Sequence, residues 1–349
     1  MSPVLPPAKV LVSGANGYIG AWVVRTLLEK GYSVRGTVRS ESKGMHLRSL
    51  FAGFGDRFEL IVVPDITAEG AFDEAVKGVD LVEHTASPFH FNVKTPDDLI
   101  IPAVQGTTSI LNSILKHGQG VKRVVLTAST ACVQKPGQTP PNGKWDESSW
   151  NEPAVREVEE KGAAASPVAA YQASKTLAEK AAWAFVKQHA SSINWDLAVL
   201  NPPFVYGPPI HEVASASKLN TSMLDFFNNV VRGAKSDAEL ASVSGSMVDV
   251  RDLALAHVAA AQKSAAGGER TIISAAPYYW QEILDLANSS ASPEIAATLH
   301  KGQPGATKGK PYPATYDNSK CARILEIPFR SLEDTVKDSV ADFKARGWF

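Results

Sequence analysis

Short apolar runs rich in β-branched residues recur through residues 1–206: "KVLVS" (9–13), "YSVRGTV" (32–38), "FELIVV" (58–63), "DLVEHT" (80–85), "RVVLTAS" (123–129) and "WDLAVLN" (195–201). Between most of them lie longer stretches with apolar positions at helical spacing, among them "AWVVRTLLEKG" and "PAVQGTTSILNSILKHG". Such alternation predicts an α/β fold, a doubly wound parallel sheet with helices on both faces. Ligands of such sheets sit at the carboxyl ends of the strands. The pattern loosens after Tyr206, where residues 207–246 and 275–315 are rich in Pro, Gly, Ser and Ala, whereas "SMVDVRDLALAHVAAAQ" (246–262) and "RTIIS" (270–274) regain regularity. We expect a nucleotide-binding domain over 1–206, rejoined by 246–274, and a smaller mixed substrate lobe from 207–245 and 275–349.

The first strand runs into "VSGANGYIG", with Gly14, Gly17 and Gly20 ahead of the first helix. In a strand–turn–helix unit, glycines permit a tight turn and close approach of backbone to a pyrophosphate, which meets the positive end of the helix. Away from this context the triplet reads as a flexible turn; at the head of a βαβ series it reads as a dinucleotide cradle. An NAD site places an acid at the end of the second strand, and an NADP site favours Arg. Here "YSVRGTVRSESK" offers Thr37, Arg39 and Lys43 in that region, which points to the 2′-phosphate of NADP(H).

"YQASK" sets Tyr171 and Lys175 four residues apart, on one face of a helix. A phenol becomes a useful proton donor and acceptor when positive charge stabilises its phenolate. Ser129 lies at the end of the fifth strand, where its hydroxyl would face the ligand edge. A second copy of the spacing, "YDNSK" from Tyr316 to Lys320, follows a loose segment; its Asp317, Asn318 and Ser319 read as caps of a C-terminal helix, so it is not expected to be catalytic.

Together "VSGANGYIG", "VRSESK", "VPDI", "TASPF", "VVLTAST", "YQASK", "NPPFVYGP" and "VDVRDLALAHV" resemble the extended short-chain dehydrogenase/reductases. Within them the chain is similar to the dihydroflavonol-reductase-like group, with its fungal aldehyde and ketone reductases and yeast-type methylglyoxal reductases. The resemblance spans residues 12–258 and implies a Rossmann-type fold binding NADP(H). It implies that Tyr171 protonates the substrate oxygen, Ser129 polarises it, and Lys175 holds the nicotinamide ribose and lowers the tyrosine pKa. It assigns the cofactor to Gly14, Asn16, Gly17, Tyr18, Ile19, Gly20, Arg39 and Lys43, to Asp65 and Ile66 at the adenine, to Thr85, Ala86, Ser87 and Thr127, and to Pro202, Phe204 and Val205 at the nicotinamide. Plant cinnamoyl-CoA reductases typically carry a "NWYCYGK"-like stretch where this chain has "AAYQASK", which disfavours thioester substrates.

Phe89, Phe91, Ala131, Val133, Phe204, Tyr206, Met223 and Phe226 stand nearest these positions and are expected to line an apolar substrate wall, with packing of the second lobe as the other reading of Met223, Phe226 and Phe227. The expected partner is a small-molecule carbonyl compound. With 44% hydrophobic and 20% charged residues and a formal net charge of −1, composition favours neither nucleic acid nor a membrane surface. Only Cys132 and Cys321 are present, and "MSPVLPPAKV" lacks signal-peptide character, so a cytoplasmic monomer or homodimer is expected. His84, His90 and His211 have no metal-ligand spacing, and no metal is expected. Two rivals remain: a nucleotide-sugar epimerase or dehydratase, disfavoured by the absence of an acidic pair in "STACV", and a non-catalytic NADP(H) sensor, disfavoured by the retained Ser129, Tyr171 and Lys175.

Overall fold

Alternate residues of each central strand enter opposite cores, as the period of a pleated strand requires. Val10 and Val12 join one apolar cluster and Leu11 the other; Val125, Ala198 and Leu200 belong to the first, Val124, Leu126, Leu197 and Val199 to the second. A sheet covered on both faces follows, and full burial of each such Val or Leu contributes about 1.5–3 kcal/mol.

The computed structural model describes residues 2–87, 95–135, 137–140 and 143–349. The chain begins β1 (Lys9–Ser13), α1 (Tyr18–Glu29), β2 (Ser33–Val38), α2 (Glu41–Leu50), β3 (Phe58–Val62), β4 (Leu81–His84), α3 (Asp97–His117) and β5 (Arg123–Thr127). It continues β6 (Lys144–Trp145), α4 (Glu152–Lys161), α5 (Pro167–Gln188), β7 (Asp196–Asn201), β8 (Phe204–Tyr206), α6 (Thr221–Val230), α7 (Asp237–Ser242), β9 (Ser244–Asp249) and α8 (Val250–Gln262). It ends β10 (Arg270–Ile272), β11 (Ala276–Tyr279), α9 (Trp280–Ser290), α10 (Pro293–Ala296), β12 (Thr315–Tyr316), α11 (Ser319–Ile324) and α12 (Leu332–Ala345).

Seven strands form one sheet in the order β10-β7-β5-β4-β1-β2-β3, with every pairing parallel. The six strands expected from the apolar runs all form, each within two residues of its expected limits. From β1 the chain steps outward to β2 and β3, then crosses back to β4 on the other side of β1. The carboxyl ends of β1 and β4 therefore flank the crevice in which doubly wound sheets hold their ligands. The turns that follow β1, β4, β5 and β7 carry the glycine triplet, Thr85–Ser87, Ser129 and Pro202 respectively.

The second lobe has a three-stranded sheet, order β11-β9-β8, in which β9 is parallel to β8 and antiparallel to β11. Sheet membership thus changes at Phe204, just before Tyr206, and β9 pairs within the small sheet while α8 and β10 return to the large one. An aromatic cluster fills this lobe: Tyr206 meets Phe226 at 5.3 Å and Tyr278 at 5.8 Å between ring centroids, and Phe343 closes on Phe227 at 5.2 Å. Both cysteines are buried and free. Among the described residues no helix is long and apolar enough to cross a membrane, and no cluster of His, Cys, Asp and Glu could hold a metal ion.

Candidate active site

The glycine turn is shaped by close backbone approach. Gly14 adopts φ +66°, and a Cβ at Gly20 would lie 2.3 Å from the Gly14 carbonyl oxygen. Gly17 is the N-cap of α1 and no side chain among the described residues caps that helix, so its first N–H groups suit a phosphate. Thr37 Oγ1 accepts from Gly14 N at 3.0 Å, and its carbonyl accepts from Ala15 N at 3.1 Å. Thr37 therefore holds the cradle from beneath, a role its position alone did not disclose.

Ser13, which no sequence pattern marks, ties β1 to the turn after β4. Its hydroxyl pairs with His84 Nδ1 at 2.8 Å and accepts from Thr85 N and Ala86 N, each at 3.1 Å, while Thr85 Oγ1 donates to the Ser13 carbonyl at 2.6 Å. Burial, reinforced by the Lys175 charge, lowers His84 to about 4 and keeps it neutral. Arg39 and Lys43 are both exposed at the start of α2, and among the described residues neither makes a salt bridge. Asp65 accepts from the hydroxyl and N–H of Thr67 at 2.7 and 2.9 Å, which with the more distant Arg39 charge holds its carboxyl below the usual range. Ile66 packs against Gly106 of α3.

Ser166 caps α5 by accepting from Ala169 N, and Pro167 opens its first turn, so Tyr171 and Lys175 sit near the start of a long, well-anchored helix. The Ser129 hydroxyl neighbours the Tyr171 phenol and acts to lower its pKa. Ser129 Oγ also accepts from Ala131 N at 3.1 Å, which leaves its own proton for donation. Burial pushes the Tyr171 phenol up to about 12, against the lowering effect of Ser129. Lys175 Nζ donates to Ser87 Oγ at 2.8 Å, and burial lowers its pKa. The structure thus brings together Ser129, Tyr171, Lys175 and Ser87 at the crevice.

Several expected contacts are placed differently. Tyr18 is buried and donates to the Gly207 carbonyl at 2.7 Å, which leaves only its backbone to the cradle. Thr127 commits its hydroxyl to His257 Nε2 at 3.0 Å. Met223, Phe226, Tyr206 and Val133 are fully buried: the first three pack in the lobe core and Val133 against Trp145 and Ile272, the packing that is the other reading of Met223 and Phe226. Phe204, 48% exposed and stacked on Tyr206, and half-buried Ala131 keep surface open. Phe89, Phe91 and His90 lie outside the described residues. The second spacing is not a helical pair, because Tyr316 is on β12 and Lys320 on α11, where it meets Glu269 at 2.8 Å. Asp317 accepts from Ser319 N at 2.9 Å just ahead of the N-cap Asn318, yet Tyr316 is not remote from the site: its hydroxyl reaches Gln134 at 2.8 Å.

Residues 10–276 match the NAD dependent epimerase/dehydratase family. The chain is 39% identical over 341 residues to the putative NADPH-dependent methylglyoxal reductase of Candida albicans, covering 95% of this chain and 97% of that one. It is 36% identical over 349 residues to a ketoreductase of Aspergillus niger, covering 95% and 96%. Its fold matches the crystal structure of yeast methylglyoxal/isovaleraldehyde reductase complexed with NADPH with a TM-score of 0.84, at 34% identity and 98% and 100% coverage. On sequence and structure alike, this chain belongs to the NAD dependent epimerase/dehydratase family.

Proposed function

We propose that this protein is an NADPH-dependent carbonyl reductase that converts hydrophobic ketones, ketoesters or aldehydes to alcohols. Ser129 and Tyr171, neighbouring hydroxyls with Lys175 one turn further along α5, carry this reading together with the glycine turn. A cradle whose space a Cβ would fill, an uncapped helix start and the exposed Arg39 suit a phosphorylated dinucleotide with a 2′-phosphate. NADPH, when bound, supplies the hydride that reduces the carbonyl carbon.

The chain's own residues handle the proton. Tyr171 is a neutral phenol at physiological pH and delivers its proton to the substrate oxygen, so that carbonyl, hydride and proton sum to an alcohol. Ser129 donates a hydrogen bond to the same oxygen and stabilises the charge that develops there. Lys175, on the same face of α5, is the cation that favours the resulting phenolate and holds the ribose. Phe204 and Ala131 offer apolar surface to the substrate, which stabilises hydrophobic groups by burial. The small lobe is the substrate side of the crevice, and the enzyme works in the cytoplasm as a monomer or homodimer. The relatives named for NADPH-dependent and keto reduction support the same chemistry.

The test is NADPH consumption with an aryl ketone, a hydrophobic ketoester and a small charged keto acid. Turnover of the two hydrophobic compounds above the acid is expected. Preference for the acid overturns the substrate class, and turnover of none overturns the reaction.

A further inference from the structure

Two buried polar residues beside the site have no part in the proton transfer. Glu179 lies one turn beyond Lys175, so Tyr171, Lys175 and Glu179 succeed one another at four-residue intervals along one face of α5. Its carboxylate is 1% exposed. Oε1 accepts from Arg270 Nε at 2.5 Å and Trp183 Nε1 at 3.3 Å; Oε2 accepts from Asn201 Nδ2 at 2.9 Å and Arg270 Nη2 at 3.3 Å. The buried Cys132 thiol lies near the same carboxylate, whose charge helps to raise its pKa.

Asn201, at the end of β7, sends its other amide hydrogen to the Ser129 carbonyl at 3.1 Å. That carbonyl also accepts from Cys132 N at 3.0 Å and so closes the turn that carries the Ser129 hydroxyl. With acceptors on both sides the amide can point only one way, and its Oδ1 is left buried without a partner among the described residues. A buried carboxylate needs a counter-charge, which Arg270 provides while stacked 3.6 Å above Trp150 and donating to the Glu147 and Ser149 carbonyls at 2.6 and 2.9 Å. An apolar cluster would fill this volume without the ion pair or the orphaned oxygen, and such costs are retained where a group has a further role.

We propose that Glu179 is a positioning residue: through Asn201 Nδ2 and the Ser129 carbonyl that closes the turn, it fixes the Ser129 hydroxyl beside Tyr171. The helix that carries the proton donor thereby also sets the place of its partner. The inference rests on the reductase reading for its kinetic consequence, because misplacing a reacting group by about 1 Å costs up to 10²-fold in rate.

Asn201→Ala removes the link and leaves the Glu179–Arg270 pair intact; Glu179→Gln removes the charge and an acceptor. Each should lower kcat for carbonyl reduction about tenfold or more, with KM and the NADPH Kd changed less than about twofold. In a Ser129→Ala background neither should lower kcat by more than about twofold, since a residue acting through Ser129 has nothing left to position. Hydrogen exchange of the 128–134 segment should rise about tenfold in both variants, with β1 and β2 unchanged. An equal loss of kcat in both backgrounds, an undiminished kcat in Asn201→Ala, or unchanged exchange at 128–134 overturns the proposal. If the wild-type protein reduces no carbonyl compound, the reductase reading fails, and the exchange measurement still decides whether Glu179 and Asn201 hold the Ser129 turn. Should Glu179→Gln not fold, the kinetics and exchange of Asn201→Ala alone decide between the outcomes.

Discussion

Gly20→Ala adds one methyl group at the point where α1 meets the turn after β1. That methyl would lie 2.3 Å from the Gly14 carbonyl oxygen, 3.0 Å from its carbonyl carbon and 3.0 Å from Thr85 Oγ1. Carbon contacts are favourable only at about 3.5–4.0 Å, so α1 and the turn must part by roughly 1 Å. The nearest of these atoms, the Gly14 carbonyl group, is backbone, and no rotamer change relieves it. Overpacking of this kind costs about 1–3 kcal/mol of stability. The same displacement draws the helix N-terminus away from the phosphate it would face, and its field falls off within one turn. A weakening of NADPH binding by tenfold or more, about 1.4 kcal/mol, is therefore expected. Calorimetric titration with NADPH and a thermal melt measure the two effects. Gly53→Ala is the control, because a Cβ there meets nothing within 4 Å and should change neither. A Gly20→Ala protein that binds NADPH with wild-type affinity would refute the reasoning.

Arg39→Ala should weaken binding of NADPH far more than of NADH, as only the former carries the 2′-phosphate; equal losses in a parallel titration would remove Arg39 from that role. Tyr171→Phe should reduce carbonyl turnover by about 10²–10⁴-fold with NADPH affinity kept, whereas Tyr316→Phe, which loses the bond to Gln134, should cost only a few-fold. Larger loss in the Tyr316 variant would relocate the acid. Alcohol oxidation needs the Tyr171 phenolate, so its rate should climb with pH toward the phenol's value of about 12, and Ser129→Ala, which removes the hydroxyl that lowers it, should move that rise to higher pH; an unmoved profile would separate the two hydroxyls. His84 takes a proton at about 4 when folded and about 6.5 when unfolded, so the unfolded state binds more protons between these values, and stability falls by about 3 kcal/mol as pH drops from about 6.5 to 4. Urea unfolding of wild type and His84→Gln across that window should show a shallower acid loss in the variant, and parallel curves would contradict the assignment.

The large sheet was legible because both of its faces are buried. Near-continuous apolar strands such as Val10–Leu11–Val12 announce themselves, and the glycine turn and the Tyr171–Lys175 spacing are local features of one element each. The sequence does not distinguish an apolar wall from an apolar core. Met223, Phe226 and Val133 satisfy the same hydrophobic pattern whether they face a ligand or one another, and only the positions of Phe343, Trp145 and Ile272 decide for the core. Ser13, Asn201 and Glu179 were missed for a related reason. Each acts by side-chain bonds to residues between 22 and 91 positions away, and no periodicity reports such bonds.

The smaller lobe shows this limit at its strongest. Four successive carbonyls after β8 each accept from a different side chain: Gly207 from Tyr18 at 2.7 Å, Pro208 from Trp22 at 2.9 Å, Pro209 from Arg346 at 2.6 Å, and Ile210 pairs with His46 at 2.8 Å. Prolines remove donors from this segment but not acceptors, and here side chains come to its carbonyls. Tyr18 and Trp22 lie on α1, four residues apart, and His46 on α2, the two helices that start at the cradle and at Arg39. The loop is thereby fastened to the elements that form the expected phosphate site, while β8, which precedes it, carries the half-exposed Phe204. The helices of the expected phosphate site and the proposed substrate side of the crevice are joined through backbone oxygens, whose partners lie 137 to 189 residues away and whose own residue identities leave no trace of the contact.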